Sequence, residues 1–138
     1  MNQKLFLDAN FSCAFYNQDD SLTKRALELA KSELQKFDSY TSNLVLYESF
    51  TIISMRSSRQ VAIEAIDMIK GSNTLNIIWH TKEIEEIALS IFKDSHKDFS
   101  FIDSSIIATM KAYDIKTLLT FDKSFLKLQK KHRFKVIS

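Results

Sequence analysis

The sequence has no proline, one glycine (Gly71) and one cysteine (Cys13) among its 138 residues. A single cysteine excludes an internal disulfide, so we expect a reducing cytosol and a small buried thiol. With so little glycine and proline, turns must be made by asparagine, aspartate, serine and lysine, which weakens the sequence signals for loops. No apolar run approaches the roughly 20 residues of a membrane helix, and the first residues read directly as a strand, so no signal peptide is expected. These absences predict a cytoplasmic protein without a membrane partner.

The remaining composition is ordinary for a globular protein, with 45% hydrophobic and 26% charged residues. A chain of this length is expected to form a single domain, residues 1–138, with a substantial buried core. The net charge of +2 indicates little about partners. Basic residues crowd the end of the chain, however, and the cluster consists of Lys123, Lys127, Lys130, Lys131, Arg133 and Lys135. Such a cluster is either a solvated face or a surface that follows an RNA backbone.

Strand and helix patterns alternate along the chain. Strand patterns lie at residues 4–9, 38–42, 73–79, 115–121 and 134–137. Between them, helical spacing occupies residues 10–16, 22–37, 44–55, 58–70, 81–92, 104–113 and 123–131. We expect Asp20 or Ser21 to cap the second helix and Gly71 to end the fourth. This alternation predicts an α/β fold with a parallel central sheet.

Three acidic residues are expected at one edge of that sheet. Asp8 ends the first strand, Asp103 begins a helix, and Asp122 follows the strand at 115–121. A helix of ten residues runs about 15 Å, and six strand residues return about 20 Å. The start of that helix and the end of that strand therefore meet, at the edge where open α/β folds bind ligands.

A fourth acid, Glu48, is the single charged residue between Asp38 and Arg56, inside the most apolar helix of the chain. Its side chain leans toward the helix N-terminus and can reach the same edge. Four converging carboxylates would raise each other's pKa values unless a cation neutralised them. Because all the ligands are oxygen atoms, Mg²⁺ or Mn²⁺ is favoured over zinc.

Each of these acids also has a purely structural interpretation. Asp103 could be a helix N-cap, and Asp8 and Asp122 could be turn or cap residues. Glu48 is the hardest to explain in that way, because a buried acid needs a partner and none is near in the sequence.

Four segments resemble, in sequence and in order, the motifs of the PIN-domain nucleases, and most of all those of VapC-like toxins. They read Leu-Phe-Leu-Asp-Ala-Asn-Phe (5–11), Ser-Asn-Leu-Val-Leu-Tyr-Glu (42–48), Phe-Ile-Asp-Ser-Ser-Ile-Ile-Ala (101–108) and Leu-Leu-Thr-Phe-Asp-Lys-Ser-Phe (118–125). The resemblance spans nearly the whole chain. It departs from common members in the scarcity of glycine and proline, and Asp114 stands where a glycine often ends the helix.

The resemblance implies a three-layer α/β/α sandwich and a metal-dependent endoribonuclease that cleaves single-stranded RNA. Asp8, Glu48, Asp103 and Asp122 match the family's acidic catalytic and metal-binding positions. Its supporting polar positions fall on Asn10, Ser42 and Thr120, although Asn10 and Thr120 could also be ordinary caps or hydrogen-bonding residues. The family further implies the toxin of a type II toxin–antitoxin pair, with a cognate antitoxin and a homodimeric assembly.

The sequence alone also allows other functions. The chain could be a PIN-like RNA-binding or scaffold protein without catalysis, or a PIN nuclease of RNA processing rather than a toxin. A phosphatase with an Asp-x-Asp nucleophile motif is a third possibility. That chemistry needs a second acid two positions after Asp8, where this sequence has Asn10.

Overall fold

A computed structural model describes residues 2–138 and contains one five-stranded sheet with helices on both sides. The strands are β1 (Gln3–Leu7), β2 (Phe37–Ser42), β3 (Leu75–Ile78), β4 (Thr117–Leu119) and β5 (Lys135–Ile137). The helices are α1 (Ala9–Tyr16), α2 (Thr23–Ser32), α3 (Asn43–Arg56), α4 (Arg59–Lys70), α5 (Lys82–Asp94), α6 (Phe101–Ala112) and α7 (Gln129–His132). Two short 3-10 helices, Leu34–Lys36 and Lys123–Leu128, complete the regular structure.

The sheet has the strand order β3-β2-β1-β4-β5, and every neighbouring pair is parallel. All five strands therefore end at the same edge. Leu7 of β1 pairs with Leu119 of β4, so Asp8 and Thr120 directly follow a paired position. The backbone N–H of Asp8 extends the ladder by donating to the Leu119 carbonyl at 3.1 Å. Register alone thus places these two residues side by side.

The core lies on both faces of the sheet, because successive strand residues point to opposite sides. Phe6 packs with the buried residues of α5 and α6 on one face, while Leu5 and Leu7 pack with those of α1 and α2 on the other. Phe6 is fully buried, and such burial stabilises the fold by roughly 2–3 kcal/mol per side chain. The predicted three-layer α/β/α sandwich is confirmed.

Several boundaries differ from the expectations. Leu22, rather than Asp20 or Ser21, occupies the N-cap of α2 and makes no side-chain cap bond. The Asp20 carboxylate accepts a hydrogen bond from the Leu22 N–H, so it closes the preceding turn instead. Strands β3 and β4 are shorter than the runs that predicted them, because backbone pairing covers only residues 75–78 and 117–119.

One left-handed residue takes the place of a glycine. Asp114, just after α6, has a φ of 54°, the region that glycine adopts without a steric penalty and that aspartate tolerates better than most residues. The chain therefore makes this helix-to-strand turn without glycine. Within residues 2–138, no helix has the length and apolar character required to cross a membrane.

Candidate active site

Asp8 lies at the carboxyl end of the central strand and is almost completely buried, with 4% of its surface exposed. It is also the N-cap of α1, and its Oδ1 accepts a hydrogen bond from the Ala9 N–H at 2.7 Å. The other carboxylate oxygen, Oδ2, accepts a bond from the Thr120 hydroxyl at 2.7 Å. Both oxygens are therefore held in place by neighbouring donors. The structural interpretation of Asp8 as a cap is correct, but it uses only one of the two oxygens.

Asn10 and Thr120 connect the ends of β1 and β4. The Asn10 amide donates to the Thr120 Oγ1 at 3.1 Å and more weakly to the Asp8 Oδ2 at 3.4 Å. Its carbonyl oxygen accepts from the Phe121 N–H at 3.0 Å. The Thr120 Oγ1 also accepts from the Asp122 N–H at 3.0 Å. This network fixes the Asp8 carboxylate relative to the loop that carries Asp122.

Asp103 lies in the first turn of α6, although not at its N-cap as the structural interpretation supposed. Ser100 is the N-cap, and Asp103 is the third helical residue of a capping box. The Asp103 Oδ2 accepts from the Ser100 N–H, and the Asp103 N–H donates to the Ser100 Oγ, both at 3.0 Å. A carboxylate at this position also interacts favourably with the helix dipole.

Asp122 caps the short 3-10 helix Lys123–Leu128, and its Oδ1 accepts from the Ser124 N–H at 2.9 Å. The predicted cap role is therefore present here as well. As with Asp8 and Asp103, capping occupies one carboxylate oxygen and leaves lone pairs for another ligand.

Glu48 differs from the three aspartates. It projects from the second turn of α3, is half-buried, and has no hydrogen-bond or ion-pair partner among residues 2–138. Ser42, expected to support the acids, is the N-cap of the same helix and accepts from the Val45 N–H at 3.2 Å. Ser42 is buried and is not among the residues that line the cleft described next. The structure thus gives Ser42 a capping role and gives Glu48 none.

The four acids share one surface cleft with a volume of about 540 Å³. They reach it from four places in the fold: the end of β1, helix α3, the start of α6 and the loop after β4. The full lining is Asp8, Ala9, Asn10, Cys13, Asn17, Asp19, Asp20, Ser21, Leu22, Glu48, Ile52, Arg56, Asp103 and Asp122. The expected convergence of Asp8, Glu48, Asp103 and Asp122 on one edge of the sheet is therefore present.

The acids of the cleft influence one another electrostatically. The pKa of the Asp8 carboxyl is raised from 3.8 to about 7, chiefly by burial. The bonds from Thr120 and Ala9 oppose this rise, and the charges of Asp103 and Glu48 add to it. Burial and then the charge of Asp103 raise the pKa of Glu48. Burial also raises the pKa of Asp103; its bonds to Ser100 lower that pKa and the charge of Asp122 raises it. The cleft therefore concentrates negative charge, and within residues 2–138 none of these four acids forms an ion pair.

The donor set fits a hard divalent cation, because it consists of carboxylates and contains no histidine. In the described part of the chain, however, no three histidine, cysteine, aspartate or glutamate side chains are arranged closely enough to hold one ion. The acids converge on one cleft but do not form a closed chelate. Such a site would bind an ion through some carboxylates directly and through water for the rest, as Mg²⁺ sites commonly do.

Sequence reasoning missed two parts of the cleft. Asp19 and Asp20, interpreted as solvated loop acids, lie in its wall because the loop after α1 folds over it. Arg56 lies on α3, eight residues after Glu48, a spacing that keeps both on one helix face. That spacing could have identified Arg56, whereas nothing local predicts where the loop folds.

The C-terminal basic cluster stands apart from the acids. Lys123, Lys127, Lys130, Lys131 and Arg133 lie on the 3-10 helix, on α7 and just after it, and none of them lines the acidic cleft. All five are exposed. Their role in binding RNA stays a prediction.

The buried acid Asp8 is expected to make the metal-free chain less stable at high pH. Its pKa is about 7 in the folded chain and near 3.8 when exposed, so the folded state holds the extra proton between these values. The free energy of unfolding then falls as the pH rises through this window, by at most about 4 kcal/mol. Asp8→Asn removes the ionisation and keeps a capping oxygen, so we expect it to raise the melting temperature in EDTA near pH 8 far more than near pH 5.

Thermal unfolding of the wild type, Asp8→Asn and Asp98→Asn at both pH values measures this effect. Asp98 is an exposed loop acid, so its variant should follow the wild type. An Asp8→Asn curve that loses stability with pH as steeply as the wild type would contradict the assignment.

Comparison with known proteins defines the class to which this cleft belongs. The PIN domain family matches residues 5–131, so the chain is a member of that family. VapC20 of Mycobacterium tuberculosis, a 23S rRNA-specific endonuclease, is 28% identical over 122 residues, which cover 88% of this chain and 91% of VapC20. The resemblance to PIN-domain nucleases, and to VapC-like members among them, is confirmed.

Solved structures share the fold. The crystal structure of VapC20, described as a toxin that cleaves the sarcin-ricin loop, matches with a TM-score of 0.79 and 26% identity, over 89% of this chain and 93% of that one. FitAcB from Neisseria gonorrhoeae matches with a TM-score of 0.68 at 19% identity. A toxin–antitoxin complex from Klebsiella pneumoniae has a TM-score of 0.63 at 18% identity. Each of these last two matches covers 97% of this chain and 96% of the other.

Proposed function

We propose that this protein is a metal-dependent endoribonuclease that cleaves single-stranded RNA and acts as a VapC-like toxin. The observation that carries the proposal is the convergence of Asp8, Glu48, Asp103 and Asp122 in one cleft, with the pKa values of three of them raised. A protein that uses these carboxylates only for its fold has no reason to place Glu48 there, because its carboxylate has no bonding partner among residues 2–138.

In this proposal the four carboxylates hold Mg²⁺ or Mn²⁺. The chemistry that such an ion supplies when bound is Lewis-acid activation of water and compensation of the charge that develops on the phosphate. The chain itself contributes orientation. Thr120 and Asn10 fix the Asp8 carboxylate, the capping box with Ser100 fixes that of Asp103, and the N-cap bond from the Ser124 N–H fixes that of Asp122.

The raised pKa values support this assignment. A bound cation stabilises carboxylates that repel one another more than it stabilises an isolated one. The folding free energy that their repulsion costs is therefore recovered when an ion binds. In this proposal Asp8 or Asp103 accepts the proton of the attacking water.

The proposed partners follow from the relatives. The Klebsiella pneumoniae structure is named a toxin–antitoxin complex, and VapBC2 from Rickettsia felis is bound to a fragment of its promoter DNA. We propose a cognate antitoxin for this chain too, one that silences it by covering the acidic cleft. A homodimer and a cytoplasmic location stay predictions.

Metal-dependent cleavage of RNA is the experiment that tests the function. The purified chain, freed of metal with EDTA, is expected to leave single-stranded RNA intact and to cleave it when Mg²⁺ or Mn²⁺ is added. Adding 23S rRNA as a parallel substrate tests whether the target of VapC20 is shared. RNA that is bound but not cut with any divalent ion would favour the alternative of a non-catalytic RNA-binding protein.

A further inference from the structure

Among residues 2–138, Arg56 is the one that brings a positive charge to the lining of the acidic cleft. Six carboxylates, those of Asp8, Asp19, Asp20, Glu48, Asp103 and Asp122, line the same cleft within the described residues. Arg56 forms no hydrogen bond and no ion pair with any residue in the range 2–138. A guanidinium beside so many acids would be expected to pair with one of them. Its five donors therefore stay available to a ligand.

The position of the guanidinium follows from α3. Glu48, Ile52 and Arg56 recur every four residues, so they form one ridge along the helix, and all three line the cleft. The charge of Arg56 also acts on the Cys13 thiol. Burial raises the pKa of that thiol to about 11, and the positive charge of Arg56 opposes the rise. Arg56 is not among the charges that shift the pKa values of Asp8, Glu48 or Asp103. Within the cleft, the charge of Arg56 thus acts on Cys13 rather than on Asp8, Glu48 or Asp103.

The separation along α3 indicates what Arg56 can contact. Eight residues at 1.5 Å each place its Cα about 12 Å from that of Glu48 along the helix axis. Because helical side chains lean toward the N-terminus, the long arginine side chain recovers part of this distance. Arg56 therefore stands about two helical turns from Glu48 along the same wall of the cleft.

We propose that Arg56 binds a phosphate of the RNA that flanks the scissile one and so positions the strand across the acids. The inference rests on the proposed function, and it assigns the cleft a second, cationic subsite. The need for such a subsite is electrostatic: an RNA backbone entering a cleft of six carboxylates is repelled everywhere except at the metal position and at Arg56. Arginine suits this role, since its planar fork binds phosphate oxygens in pairs.

A contact to a flanking phosphate is the same in the ground state and in the transition state. Its loss should therefore raise KM and leave kcat nearly unchanged. With Mg²⁺ and single-stranded RNA, we expect Arg56→Gln to raise KM about tenfold. Arg56→Lys keeps the charge but lacks the planar guanidinium, so its KM should lie between those of the wild type and of Arg56→Gln. A fall in kcat at unchanged KM would overturn the proposal.

Binding can be measured separately from cleavage. Fluorescence anisotropy of a short fluorescein-labelled single-stranded RNA in EDTA should give Arg56→Gln a weaker Kd than the wild type. The slope of log Kd against log salt concentration should decrease by about 0.7, the value for one lost phosphate contact on a single strand. Arg59→Gln is the matched control, because Arg59 is exposed, lies three residues further on and does not line the cleft. Equal binding by the two glutamine variants would overturn the proposal.

Two further measurements exclude a structural role. Arg56 ends α3, where a cation favours the helix dipole, so the melting temperatures of Arg56→Gln and Arg59→Gln are compared. Binding of Mn²⁺ should be unchanged or tighter in Arg56→Gln, since a positive charge leaves the cleft; weaker Mn²⁺ binding would mean that Arg56 organises the acids, which contradicts the proposal. If the wild type binds RNA without cutting it, the nuclease proposal is wrong, and the Arg56 proposal is still tested by the binding experiment. If the wild type neither cuts nor binds RNA, both proposals are wrong.

Discussion

Asp103→Asn is expected to abolish metal-dependent RNA cleavage, with a loss in rate of at least about a thousandfold. The substitution removes one carboxylate from the cleft and one of the charges that raise the pKa of Asp8. The fold should be affected little. The asparagine oxygen can still accept the Ser100 N–H, so the capping box survives, and the lost interaction with the helix dipole is worth only about 0.3–1 kcal/mol.

The control for this variant is Asp98→Asn, which removes the same charge from an exposed loop a few residues earlier. It should cleave RNA at the rate of the wild type. Cleavage is followed on labelled RNA, and the melting temperature of each variant reports the fold. Full activity in Asp103→Asn and also in Asp8→Asn, both correctly folded, would refute the assignment of the acids.

Glu48→Gln is expected to convert a growth-inhibiting protein into a harmless one. Induced expression of the wild type in a bacterial host should arrest growth if the chain is a toxin that cuts RNA. Glu48 makes no hydrogen bond or ion pair in the part of the chain that the structure describes, so the amide should cost no stability. Removing its charge also relieves the desolvation and repulsion that raise its pKa.

Glu64→Gln on the exposed face of α4 provides the comparison, since it changes the same group outside the cleft. That variant should inhibit growth as strongly as the wild type. Growth curves, with immunoblots to equalise expression, measure the difference. Growth arrest by Glu48→Gln equal to that by the wild type would show that the toxicity does not depend on the cleft, and would contradict the toxin proposal.

The sequence predicted the sheet and the gathering of the acids because both depend on periodicity and on the parallel α/β rule. Asp8 and Asp122 follow strands, and parallel strands end at one edge whatever the details of packing. The helical lean that brings Glu48 to that edge is likewise local geometry. Element boundaries were less predictable. Cap selection at α2 depends on how its first turn meets the preceding loop, and Leu22 stands there despite its lack of a capping oxygen.

Tertiary placement explains what the sequence could not predict. The loop that carries Asp19 and Asp20 is held by Asn17, whose side chain accepts from the Asp19 N–H and whose carbonyl accepts from the Thr23 hydroxyl. Those bonds place it over the cleft, and no local pattern encodes that position. Ser42 is the N-cap of α3, and its expected support of the acids stays a prediction.

The direct test of the account is a titration of the metal-free chain with Mn²⁺, followed by the electron paramagnetic resonance signal of the free ion. We expect the wild type to bind Mn²⁺ and each of Asp8→Asn, Glu48→Gln and Asp103→Asn to bind it at least about tenfold more weakly, since every one of them removes a charged oxygen from the site. Affinity that is the same in the wild type and in all three variants would contradict the claim that these distant acids share one cation.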